Sequence, residues 1–494
     1  MSLFRTWAAM FSLVVLGALA SAALGERVPL HGGFGFEGWS VYRPIVQDLP
    51  GHLREGRIDA YSIQRVLPFA AAHLTLRALG QPLDDAAILT FFAAWNLIVL
   101  GLGAWVWLLV AADHGLSPAG RWLGFLGLFA GFAVLKLAFY YPVNIDPTAL
   151  LVGLAALLFY RRGNTAGLVL VSLAGLAVWP TTLPLHALLL LLPARARWPD
   201  AGRRLPGSLA LVVALALAVV AAFARTWLFT DRRPDPGIAP AVAWALPLAH
   251  LAVAAWIVLG LAPLVGRIPL RPAAWWPTVR SGLTVPAAAA VGLLVAVHLL
   301  LTRVLASPGE PRLTAAEFLT AYVNFGATTR PLQFLVAHVV YFGPVVLAAV
   351  LLWPDVARRL QALGAGLVAV GAYAVLMAVN AESRHLTNVL PMVVLPTVTA
   401  LEARQPSRAT LAVLAATAFA FSKAWLPINR LAAASGVPMG DFPLGAGDFQ
   451  AFPAQLYFMS FGPWMSNGML LLQGALAALL GAWLAGRLLY SRPS

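Results

Sequence analysis

The chain has no cysteine, which removes disulfide frameworks, thiolate metal ligands and thiol nucleophiles together. Lysine occurs only at Lys136 and Lys423, so arginine supplies nearly all of the positive charge. Charged residues make up 11% of the 494 positions and hydrophobic ones 61%. That polar surface is too small to cover a soluble globular domain. The familiar soluble signatures are missing as well: there is no GxxxxGKS/T phosphate loop, no HExxH zinc motif and no GxSxG elbow. Without a nucleotide cradle, any reaction must draw on a substrate that is already activated. The alternating segments of about ten residues that a β-barrel needs are also lacking.

Long apolar runs are what the chain does have, each close to the roughly 20 residues that carry a helix across a bilayer. They fall near 86–112, 122–140, 146–160, 165–193, 208–228, 241–265, 283–303, 331–353, 362–379, 386–401, 409–426 and 467–486, after a first run from Trp7 to Leu24. The reading is an all-α polytopic membrane protein of about 12–14 transmembrane helices, a single transmembrane domain over 1–494 with no separate soluble domain. The first run reads as an uncleaved anchor. The run 165–193 should break at Trp179-Pro180-Thr181-Thr182, where proline removes a helix hydrogen bond. With the amino terminus inside, the short loops assigned to the cytoplasm are dense in arginine and poor in acid. The long stretches 25–85, 304–330 and 427–466 then fall outside, and both termini are cytoplasmic. The net charge of +14 follows from this topology. No basic stripe with interleaved aromatics points to nucleic acid.

Polar residues concentrate in one place. From Gly32 to Pro68, Glu37, Asp48, Glu55, Asp59 and Gln64 alternate with Arg43, Arg54, Arg57 and Arg65, and Trp39, Tyr42 and Tyr61 lie between them. Such a stretch is either a solvated loop or one that assembles a site for a charged or sugar-bearing substrate. The short apolar segment Arg65 to Leu79 that closes it is too brief to span and should lie along the outer surface.

Ionisable groups at membrane depth are costly and often functional. Asp146 opens a span in Asn144-Ile145-Asp146-Pro147, where an N-cap role would account for it. Lys136 lies about one turn inside its helix and should snorkel. His186 and His298 read as buried, hydrogen-bonded histidines. The segment Asn380 to Pro391 joins two spans with almost no loop, so Arg384 and His385 should sit at the outer interface. There an arginine can hold a phosphate bidentately, with the histidine as a further donor. The opposing reading is a local Glu382–Arg384 pair. Arg330 is a second phosphate candidate. The last exterior stretch carries Asp441, Asp448, Gln450 and the aromatic run Tyr457 to Trp464, which fits an interfacial belt.

These pieces together resemble the C-type (GT-C) membrane glycosyltransferases, in their bacterial polytopic branch. The resemblance rests on Gly35-Phe36-Glu37-Gly38-Trp39-Ser40-Val41-Tyr42, Gln64-Arg65-Val66-Leu67-Pro68, Asn144-Ile145-Asp146-Pro147 and Arg384-His385-Leu386 with Pro391. It extends over about the whole chain as topology. Glu37 stands where the family more often has aspartate, and the large soluble carboxy-terminal domain of several members has no counterpart. The resemblance implies inverting transfer of a sugar from a polyprenyl-phosphate donor to a glycan, lipid or protein acceptor at the outer face of the bacterial cytoplasmic membrane. Glu37 would be the catalytic base. Asp48 or Asp146 would position acceptor or sugar, and Arg65, Arg330, Arg384 and His385 would hold phosphate. No cofactor is implied, and no dense Asp/His cluster suggests a divalent metal. Two other classes remain open: a flippase or transporter of lipid-linked glycans, and a non-catalytic membrane partner protein. Transporters often carry internal repeats and midplane polar residues, whereas here no repeat is visible and the polar groups crowd one face.

Because the chain lacks cysteine, its topology can be mapped with single introduced thiols. A cysteine at Ser435 should react with an impermeant thiol reagent in intact cells, and one at Ser208 should be protected. The reverse pattern would invert the scheme.

Overall fold

The computed structural model describes residues 2–24, 26–196, 212–217, 246–265, 272–308, 330–430, 462 and 465–489. The expected span 208–228, the aromatic run Tyr457 to Trp464, and most of 304–330 and 427–466 lie largely outside them. The described residues are helical, with no strand among them.

The helices relevant to the site are α1 (Leu3–Ala23), α2 (Val66–Ala78), α3 (Asp85–Asp113), α4 (Pro118–Phe129), α5 (Asp146–Arg161), α6 (Thr165–Leu176), α7 (Thr182–Leu191) and α8 (Leu246–Val265). They continue with α9 (Val285–Leu299), α10 (Gln333–Phe342), α11 (Val345–Leu351), α12 (Trp353–Leu363), α13 (Ala365–Met377), α14 (Leu390–Glu402), α15 (Arg408–Ser422) and α16 (Asn467–Leu488). Small polar residues start several of them. The side chains of Asp84, Ser117, Asn164, Thr284, Ser407 and Ser466 each accept from a backbone N–H in the first turn, which satisfies donors a helix start would otherwise leave open.

Five described helices are long and apolar enough to cross a membrane, or six if the bent pair Pro118–Phe129 and Ala133–Tyr140 is one span. The expected 12–14 covered the whole chain, including the run 208–228 that lies largely outside the described residues, and several of the described runs are interrupted. The run 122–140 bends by 56° at residues 130–132, 165–193 breaks at the anticipated Trp179-Pro180, and 331–353 is divided by Gly343-Pro344. Six further apolar helices of 10–17 residues come from such pieces and from shorter runs.

Two apolar clusters organise the molecule. The larger runs through α3–α7 and α10–α14 and packs α3 against α5, α4 against α14 and α12 against α14. The smaller is built by the first polar stretch itself: Phe34, Tyr42, Ile45, Val46, Ile58 and Ile63 pack with Phe69, Phe92, Val143 and Trp179. That stretch is therefore a folded cap rather than a solvated loop. His73 on α2 bonds the Val46 carbonyl at 2.8 Å, and Arg43 pairs with Asp85 at the start of α3.

Lys136 does not snorkel. Its side chain is 1% exposed and its ammonium lies 2.9 Å from the fully buried Glu26 carboxylate, with a second bond to the Leu426 carbonyl. Glu26 also accepts from the Asn429 N–H, and Asn429 accepts from Tyr140. The pair thus pins the start of the cap to two distant parts of the chain. His186 is buried and bonded to Ser172 as anticipated, whereas His298 is only half-buried and its Nδ1 has no partner. Removing one member of a fully buried ion pair leaves an uncompensated charge, at a cost of about 3–5 kcal/mol. Lys136→Met should therefore lower the thermal unfolding temperature markedly, and adding Glu26→Gln should recover most of the loss. A single variant as stable as the parent would show that the pair contributes nothing.

Candidate functional site

Four separated stretches meet at the end of the bundle beneath the cap. Glu37 comes from the cap, Arg65 from the turn leading into α2, Asp146 from the first position of α5, and Glu382, Arg384 and His385 from the tight connection between α13 and α14. Arg384 stands among the acids. Its Nη2 is 3.7 Å from Glu37 Oε2, and its Nε is 3.9 Å from Asp146 Oδ1 and 3.8 Å from Glu382 Oε1. Arg65, almost fully enclosed, places Nη1 3.2 Å from both Glu37 Oε2 and the Tyr42 hydroxyl, and donates to Tyr61 through Nη2. Both guanidinium groups lie near the buried Trp179 ring, at 5.2 Å and 6.0 Å from its centroid.

Local sequence explains how these groups come together. Gly35 adopts φ +66°, and a Cβ there would approach the Tyr141 ring to 2.8 Å. The Gly38 N–H donates to the Tyr141 hydroxyl at 3.1 Å, so the Glu37 turn is seated directly on Tyr141. On α5, a Cβ at Gly153 would fall 2.1 Å from the Asn388 carbonyl oxygen. Only glycine allows α5 so close to the Arg384 connection.

Asp146 is not the cap of its own helix. That place falls to Ile145, and the Asn144 side chain accepts from the Asp146 N–H at 3.0 Å. The Asp146 carboxylate is free to accept from the Tyr341 hydroxyl and to face Arg384. Its Oδ1 and the Arg384 Nε are both buried without a hydrogen-bond partner among the described residues, as are Arg65 Nε and Trp179 Nε1. A cluster that leaves so many buried polar atoms unmatched is incomplete as a purely structural network.

The three carboxylates differ in access. Asp146 is 2% exposed, Glu382 23% and Glu37 42%. Burial pushes the Glu382 carboxyl above its ordinary range, against the pull of Arg384 and Arg65. Burial also raises the Tyr42 and Tyr61 hydroxyls, so both stay protonated, and Tyr42 donates to Glu37. For Arg384, burial opposes the charge, but Asp146, Glu37 and Glu382 more than offset it. His385 is held well below its ordinary value by burial and by the two arginines, so its 3.7 Å approach to Glu382 is that of a neutral ring.

Two sequence candidates are placed elsewhere. Asp48 spends its carboxylate capping the short helix Leu49–Arg54, accepting from Gly51 at 3.0 Å. Arg330 bonds Gln333, Asn467 and the Met465 carbonyl, joining the start of α10 to the start of α16. Asp441, Asp448 and Gln450 lie outside the described residues. Conversely, sequence reasoning missed Tyr341, which sits inside an apolar run; the Gly343-Pro344 break beside it was the available signal. Glu382, read as a local partner of Arg384, proves to share Arg384 with Glu37 and Asp146. Among the described residues, no group of three or more His, Asp or Glu side chains converges to hold a metal ion.

Beside the cluster lies an apolar hollow of about 500 Å³. Its lining includes Leu386, adjacent to His385, together with Phe342, Trp256, Val346, and Trp353 and Pro354 at the start of α12. No family model, curated protein or solved structure matches this chain.

The neutral state of His385 has a consequence for stability. The unfolded chain takes up a proton near the ordinary value of 6.5 that the folded side chain refuses. Stability is therefore held above that pH and falls as pH drops below it, by up to about 1.4 kcal/mol per unit until the folded group also titrates. Thermal unfolding followed from about pH 7.5 to 5.5 should show this decline, and His385→Asn should flatten it. An unchanged slope in the variant would assign the effect to other groups.

Proposed function

We propose that this chain is an inverting glycosyltransferase of the C type, moving a sugar from a polyprenyl-phosphate donor to an acceptor at the outer face of the cytoplasmic membrane. The observation that carries the reading is the position of Arg384, between Glu37 and Asp146 and two residues from Leu386, which lines an apolar hollow. A lipid-phosphate donor needs this combination: cationic donors for the phosphate, an acid-lined space for the sugar, and apolar walls for the tail.

In the proposed reaction Glu37 takes the proton from the acceptor hydroxyl. As the most exposed of the three carboxylates, it is the one an incoming acceptor can reach. The acceptor oxygen attacks the anomeric carbon from the face opposite the phosphate, and the bond from that carbon to the phosphate oxygen breaks. The electron pair leaves with the lipid phosphate, whose charge Arg384 and Arg65 stabilise. Asp146, held by Tyr341, orients Arg384 and faces the sugar. The isoprenoid tail follows the hollow past Leu386 toward Trp353. The roles first assigned to Asp48 and Arg330 are given up, since their side chains are engaged elsewhere.

Glu37→Gln keeps size and removes the base. Transfer by the purified variant, with a polyprenyl-phosphate sugar as donor, should fall by roughly 10²–10⁴-fold while the donor is still bound. Arg384→Lys keeps charge but loses the planar fork, and should weaken transfer less than Arg384→Ala does. Undiminished transfer by Glu37→Gln would exclude the base assignment. A transporter would show lipid translocation that is insensitive to this change.

A further inference from the structure

A second charged assembly occupies the opposite end of the bundle. Asp146 and Arg161 are the two ends of α5, about 22 Å apart at the rise of an α-helix. His114, at the end of α3, feels the charges of both Arg161 and Arg359, which places Arg359 at the Arg161 end. Here α12 is strongly two-faced. Val356, Ala357, Leu360 and Leu363 are buried, while Arg358 is exposed and Arg359 half-buried.

The charges around α12 do not cancel. Asp355 is shared by Arg358 and Arg404. Arg404 is further fixed by bonds to the Leu488 and Ala400 carbonyls, at 3.1 Å and 3.0 Å. Glu402, the other nearby acid, accepts from the Ser117 N–H and hydroxyl. Arg359 makes no ion pair or hydrogen bond among the described residues. Burial, then the like charges of Arg404 and Arg358, hold it below its ordinary value. It faces a hollow of about 540 Å³ that Asp355, Arg358, Arg404, Ala403 and Leu488 also line. On the rim, Leu489 is 52% exposed.

We propose that this hollow is a binding site for a phosphate oxyanion, supplied by the headgroup of an anionic phospholipid. Arg359, with the exposed Arg358 beside it, supplies forked donors that a phosphate accepts, and the engaged Arg404 adds positive charge. An anion there relieves the repulsion from Arg404 and Arg358, which Glu402 only partly offsets at Arg359. The source is a lipid because Ala362, Ala403, Leu488 and the exposed Leu489 line the hollow beside its charges, and because α12 has the form of an interfacial helix, with one face in the bundle and arginines on the other. General enrichment of arginine on one side of a membrane would need no defined hollow and no dependence on a single side chain.

The full-length purified protein, in phosphatidylcholine membranes with and without phosphatidylglycerol, provides the test. Native mass spectrometry should detect retained phosphatidylglycerol, and its addition should raise the thermal unfolding temperature. Arg359→Gln should weaken that retention about tenfold without lowering stability in phosphatidylcholine alone. Arg359→Lys, which keeps the charge, should lose a smaller part and serves if the glutamine variant does not fold. Unchanged retention in both variants, or equal retention of phosphatidylcholine, overturns the site. Stabilisation by inorganic phosphate with no preference for phosphatidylglycerol overturns the lipid source and leaves a site for free phosphate.

Discussion

Enclosing a guanidinium among apolar helices costs several kcal/mol unless acids and acceptors surround it. Arg384 meets that demand only because three other parts of the chain reach it. The connection carrying it has no length to spare, so the acids must come to the arginine. Glu37 arrives because the cap folds on its own apolar cluster and seats its turn on Tyr141. Asp146 arrives because Gly153 lets α5 approach the Asn388 backbone. Tyr341 then fixes Asp146 from a third direction. Each support is an ordinary packing or capping device, and their intersection gives a polar centre in a molecule otherwise built for lipid.

The same centre is unfinished. Several of its buried donors and acceptors face one another at distances too long for hydrogen bonds, and the most exposed carboxylate lies on the side of the cap. A static network would be expected to close these gaps, as the Lys136–Glu26 pair does elsewhere at 2.9 Å. Room left between opposed charges suits a group that enters and leaves.

Much of this arrangement was legible in the sequence for a simple reason: in so apolar a chain, ionisable residues stand out. Glu37, Arg65, Asp146, Arg384 and His385 were marked by chemistry and position alone, and they converge. Tyr341 and Trp179 were not marked, because an aromatic side chain inside an apolar run looks like core. Lys136 was misread since its partner lies 110 residues away, beyond any local pattern. Asp48 was misread for the opposite reason. Its role is local, and the Gly51 N–H that it caps was within three residues. Hydropathy also passed over places where glycine and proline interrupt a run, because it averages over a break that backbone geometry does not.

The burial of Lys136 bears on more than stability. Lys423, the other lysine, is only 6% exposed, so the protein presents essentially no side-chain amine to solvent. Its outward positive charge is carried by arginine, which does not lose its proton at any pH a cell experiences. That positive charge is therefore constant, and reagents or modifying enzymes that act on lysine find almost nothing on the surface to modify.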